Sequence, residues 1–117
     1  MSTHYLHFDP RLEWLLSYPV DAVPLLAESY VVEMRGDVID LKATSNNPAS
    51  LINYLHKVKG SLGMIGYHVL HEKADKLLVI LREQHDVPST ELESLITELD
   101  GSIQALEQWC FGSDEVS

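Results

Sequence analysis

The sequence predicts an all-α protein: an antiparallel up-and-down four-helix bundle with a short additional N-terminal helix. Two observations lead there. Apolar residues recur at three- and four-residue intervals through four long segments. No segment shows the alternation and β-branched enrichment of a strand. Segments of about 18–22 residues joined by short loops bury their apolar stripes most economically against one another. A chain of 117 residues, 45% of them hydrophobic, supplies one core and not two. The expected organisation is a single domain over residues 1–117, with the bundle core between about 20 and 110 and a covering helix near 10–17.

Each element has its own local reasons. Asp9-Pro10 offers a cap and a proline at the first helical position, opening the short helix that Ser17-Tyr18-Pro19 closes. Asp21 is placed to cap the next helix, whose first turn tolerates Pro24. Leu26, Tyr30, Met34, Val38 and Leu41 form its stripe, and Gly36 is its weak point. TSNNPAS, residues 44–50, is a turn from which Asn47 caps and Pro48 starts the following helix. There the stripe is Leu51, Leu55, Val58, Leu62 and Ile65, with a break at Gly66. Leu70, Ala74, Leu77 and Leu81 mark the next inward face. After the loop at residues 85–89, Thr90 and Glu93 suggest a capping box ahead of Leu92, Leu95, Leu99, Ile103, Leu106 and Cys110.

Charge narrows the function classes. The formal net charge of -10 argues against nonspecific binding to nucleic acid or acidic membranes. Its distribution is uneven: residues 1–40 carry net -5, residues 41–82 net +4 and residues 83–117 net -9. No acidic side chain lies between Leu41 and His71, which directs attention to the middle third. No apolar run approaches the roughly 18 residues of a membrane span, and the first residues lack a basic-then-apolar leader. One cysteine precludes an internal disulfide and fits a reducing compartment, so a cytoplasmic location is expected.

On a helical wheel, His56 lies about 140° from the mean direction of its helix's apolar stripe, on the solvent side. Gly60 and Gly63 fall within about 40° of it, one and two turns onward, and Lys59 sits about 60° away. Two glycines on an outer helical face each cost up to about 1 kcal/mol in helix propensity. Either they give a partner close access to the imidazole, or they loosen the helix or let another helix pack there. A neutral imidazole has a nucleophilic nitrogen near physiological pH, and the neighbouring ammonium is placed to answer negative charge that develops beside it.

Residues 56–66, His56-Lys57-Val58-Lys59-Gly60-Ser61-Leu62-Gly63-Met64-Ile65-Gly66, closely resemble the signature of histidine-containing phosphotransfer domains. The matching positions are His56, Val58, Lys59, Gly60, Ser61, Ile65 and Gly66. The resemblance implies a phosphorelay carrier that takes a phosphoryl group from a receiver-domain aspartate, or from a hybrid sensor kinase, and passes it to a response-regulator aspartate. It implies His56 as phosphoacceptor, Lys59 as the stabiliser of phosphoryl charge and Gly60 as the source of steric access. Ser61, Gly63 and Gly66 support the motif, Ser61 through local hydrogen bonding. It also implies that Mg²⁺ arrives on the receiver partner, with no intrinsic cofactor or metal. Three departures stand out: Lys57 and Leu62 replace smaller residues, and the acid that often follows the small residue and leucine is missing from Ala74, Leu77 and Leu78. The sequence carries no GxxxxGK[ST] loop, so no autonomous ATP-dependent kinase activity is expected.

Ile52, Lys57 and Met64 are the expected partner-docking residues, an apolar centre with a charged steering group. The expected partners are receiver domains and a hybrid sensor histidine kinase, met by a monomer without nucleic acid or membrane insertion. The competing reading is an adaptor or inhibitor that docks through the same face without taking phosphate. His68, His71, Glu72 and Asp75 have spacings that permit a metal, but read more simply as surface residues. Trp14, Tyr18 and Trp109 read as packing at the bundle ends, and Cys110 as a small core residue.

Overall fold

The computed structural model describes residues 10–109 apart from 85 and 87. Within them lie two 3-10 helices, Pro10–Ser17 and Val20–Ala22. Four α-helices follow: α1 (Val23–Ala43), α2 (Pro48–Ile65), α3 (His68–Gln84) and α4 (Ser89–Glu107). No strand occurs among the described residues. His4, His7 and Cys110 lie outside them.

The ends of α2 are the best specified. Asn47 is its N-cap, and the side-chain oxygen accepts from the Ser50 amide at 3.2 Å. At the other end Gly66 adopts φ 87°. Its amide reaches the Gly63 carbonyl, and the Tyr67 amide reaches that of Leu62 at 3.0 Å. This paired closure requires a left-handed residue, which glycine adopts without a Cβ penalty.

Elsewhere the local expectations shift. The Pro10–Ser17 segment is a 3-10 helix and not an α-helix, because Leu12, Trp14 and Leu15 are all buried and the tighter winding turns them inward together. Asp21 does not cap α1; it lies inside the second 3-10 turn, and Ala22 holds the cap position without a side-chain bond. The Thr90–Glu93 box does not form either, since α4 begins one residue earlier at Ser89, behind Pro88. Gly36 sits within α1 without interrupting it.

One continuous core holds Met34, Leu41, Leu55, Leu62, Leu77, Leu95 and Leu106 at its centre. Leu26 and Ile65 pack only partly against it. Trp14 stacks near Tyr30 and Tyr67, with ring centroids 5.2 and 6.0 Å away. Tyr18 donates its hydroxyl to the Ile65 carbonyl at 2.7 Å, satisfying an acceptor at the end of α2. Deep between α1 and α4, Tyr30 donates to Ser102, which in turn donates to the Leu99 carbonyl at 2.7 Å. Burial pushes the Tyr30 phenol well above its usual range.

Ion pairs tie each helix to its neighbours. Arg35 and Lys42 of α1 meet Glu107 and Asp100 of α4, and Lys73 of α3 meets Glu98 of α4. Lys57 of α2 meets Asp37 of α1, while Lys59 of α2 meets Asp75 of α3. The helices therefore close a ring in which α2 is flanked by α1 and α3.

Candidate functional site

The α2 stripe Leu51, Leu55, Val58 and Leu62 is fully buried, which fixes the helix's rotation. His56, out of phase with that stripe, is consequently exposed. It makes no hydrogen bond or ion pair with any other described residue, so its ring is exposed and unengaged. One turn on, a Cβ added at Gly60 would meet nothing within 4 Å. The helix thus presents an unencumbered imidazole beside a bare stretch of backbone.

Gly63 is different. It is half-buried, and a Cβ there would lie 2.9 Å from Nδ1 of His71. The missing side chain makes room for α3, not for an external partner. The imidazole of His71 fills the gap and shares a 2.9 Å hydrogen bond with the Lys59 carbonyl. Of the two roles open to the outward glycines, Gly60 fits close access and Gly63 fits helix packing.

The lysines are engaged as well. Lys59 Nζ lies 2.7 Å from Asp75 Oδ1, and this contact holds the Asp75 carboxyl below the ordinary aspartate value. Lys57 Nζ lies 2.9 Å from Asp37 Oδ1. The hydrogen bond to Asp37 raises the Lys57 pKa, and the charge of the same carboxylate adds to the effect. Asp37 is only 1% exposed, and its Oδ2 has no partner within hydrogen-bond reach. The acid-free span in sequence is therefore not acid-free in space, because α1 and α3 bring carboxylates to both of its central lysines. Ser61 donates its hydroxyl to Glu33 of α1 at 3.0 Å, a local bond that points away from a phosphate role.

The expected docking residues divide. Met64 is 86% exposed and Lys57 is exposed, but Ile52 packs partly against the core. Ile52 is half-buried there and keeps part of its surface exposed. Among the described residues no three His, Cys, Asp or Glu side chains stand close enough to hold a metal ion, so His68, His71, Glu72 and Asp75 do not form such a set. No helix among the described residues is long and apolar enough to cross a membrane. Asp37, Glu33 and the wedge role of His71 were missing from the sequence reading. A carboxylate at a core-facing position of α1 was the one available signal.

An exposed, unengaged histidine on a helix of a four-helix core, followed by Lys59 and an open Gly60, is the geometry on the page. Residues 26–109 match the family model of the Hpt domain. The chain belongs to the Hpt domain family. No curated protein and no solved structure gives a significant match. As an Hpt domain, the chain is a histidine phosphotransfer module of the two-component phosphorelay type, and Hpt domains work with receiver domains and kinases. Lys59, Gly60 and the left-handed Gly66 of the motif all fall within the matched residues.

Proposed function

We propose that this Hpt domain is a phosphorelay carrier with His56 as its phosphoacceptor. In the forward step an imidazole nitrogen attacks the phosphorus of a receiver's aspartyl phosphate. The N–P bond forms as the aspartyl O–P bond breaks, and the receiver recovers its carboxylate. The reverse sequence delivers the phosphoryl group to a second receiver. Mg²⁺, when bound on the receiver partner, would supply charge neutralisation at the phosphoryl oxygens. On this chain, Lys59 answers the same charge from one turn away, and Gly60 lets the receiver's rim approach the ring.

The observation that carries this reading is the unengaged exposure of His56 beside Gly60. An antiparallel up-and-down arrangement of one domain spanning the chain, closed at one end by the segment at Pro10–Ser17, completes the proposal. Its support is the pairing of Arg35 with Glu107 and Lys42 with Asp100, where numbers rise on α1 as they fall on α4. A hybrid sensor kinase as donor and a cytoplasmic site of action belong to the same reading.

The test is single-turnover transfer from a purified phosphorylated receiver domain. The wild-type protein acquires an acid-labile, base-stable label. His56→Gln acquires none while keeping its helical circular dichroism and its affinity for the receiver. A labelled His56→Gln protein overturns the assignment.

A further inference from the structure

The α1 helix has a second organised face that the phosphoacceptor site does not use. Leu25, Val32 and Ile39 recur every seven residues and are 73%, 68% and 66% exposed. Four residues after each come Ser29, Gly36 and Ala43, all small and all exposed. On the wheel these six lie within about 40° of one line. That line is opposite the core-facing Ala27, Met34 and Leu41. Isolated apolar surface residues are ordinary, but a heptad-spaced seam over the length of a helix is a pattern that partner helices read. Gly36 adds to this. A Cβ there would meet nothing within 4 Å, so no contact within the described chain accounts for the propensity it forgoes.

We infer that this face is a self-association seam, occupied by α1 of a second copy lying antiparallel. Size and charge select that occupant. In the register that overlaps the whole helix, each large residue faces a small one: Leu25 opposite Ala43, Val32 opposite Gly36, Ile39 opposite Ser29. The same register sets Glu28 of one copy against Lys42 of the other, twice by symmetry. Lys42 is available for this, being exposed and held only at 3.5 Å from Asp100. The two charged groups nearest the symmetry axis already have partners within their own chain. Arg35 is paired with Glu107, and Glu33 accepts from Ser61. A single helix pair covers less than the roughly 800 Å² per partner of a stable complex, so the dimer is a weak one that forms at high protein concentration. The monomer expected from sequence is the dilute form of this equilibrium.

Sedimentation equilibrium between about 10 µM and 1 mM tests the seam. The wild-type chain shifts toward dimer over that range, and Val32→Glu stays monomeric. Glu28→Lys and Lys42→Glu each place like charges across the antiparallel pair and weaken association by about tenfold. Mixed one to one, those two variants restore opposite charges at both contacts, and a heterodimer recovers. Recovery on mixing also shows that both variants are folded. A wild-type chain that stays monomeric to 1 mM overturns the proposal. So does a dimer that survives Val32→Glu, or a mixture that associates no better than its components.

Discussion

Gly60 and Gly63 are the same residue type on the same helix, three positions apart, and they separate two physical demands. At Gly60 an added methyl group meets open space, so the only effect on stability is helix propensity. Gly60→Ala is expected to stabilise the fold by about 0.5–1 kcal/mol. At Gly63 the same methyl group enters the His71 ring at 2.9 Å, in a contact tied down by the bond from that ring to Lys59. Gly63→Ala is expected to lose about 1–3 kcal/mol despite the propensity gain. In a His71→Ala background that loss disappears, giving a coupling of at least about 1 kcal/mol. Urea unfolding of the four proteins measures it, and additive effects would place the Gly63 penalty elsewhere. The pattern from His56 to Gly66 was legible because its residues are contiguous and one helical period relates them. The division of labour between the glycines was not. It depends on His71, which belongs to another helix and whose distance from Gly63 no spacing within α2 encodes.

At the scale of helices, sequence patterning located all four segments. The buried stripes of α2 and α4 match the three- and four-residue periodicity, and Asn47 and Gly66 carry specific end signals. The misplaced caps at Asp21 and Thr90 share a cause. Prolines stand beside both: Pro19 and Pro24 flank Asp21, and α4 starts directly behind Pro88, so the cap positions fall to Ala22 and Pro88 instead. Cross-helix pairing was also hidden. The span from Leu41 to His71 is positive along the chain, yet Asp37 and Asp75 reach it from α1 and α3. For transfer this has a direct consequence, resting on the proposed role of Lys59. Asp75 holds the same ammonium that a phosphoryl group on His56 would draw. Asp75→Asn is expected to raise the single-turnover transfer rate roughly 2- to 5-fold, the range of a partly screened surface charge. Lys59→Met is expected to slow transfer, and adding Asp75→Asn to it should change nothing further. Equal gains in both backgrounds would show that Asp75 acts on the phosphoryl group without Lys59.

Across the whole molecule, the Hpt match begins at residue 26, while the core begins earlier. Leu12, Trp14, Leu15 and Val23 are buried with the four helices, and Tyr18 reaches across to the last carbonyl of α2. The aromatic group of Trp14, Tyr18, Tyr30 and Tyr67 joins this leading segment to α1 and to the turn between α2 and α3. The segment therefore belongs to the unit that positions the end of the motif helix. Trp14→Ala should cost about 3–5 kcal/mol, a large share of the 5–15 kcal/mol that holds a domain of this size. Trp14→Phe should cost much less. It keeps the ring contacts and removes an indole N–H that is buried without an acceptor. If the leading segment folds with the bundle, far-UV circular dichroism and tryptophan fluorescence should report one coincident urea transition in each protein, displaced most in Trp14→Ala. Two separated transitions, or a Trp14→Ala protein as stable as the wild type, would mean that the segment rests on the bundle without sharing its core.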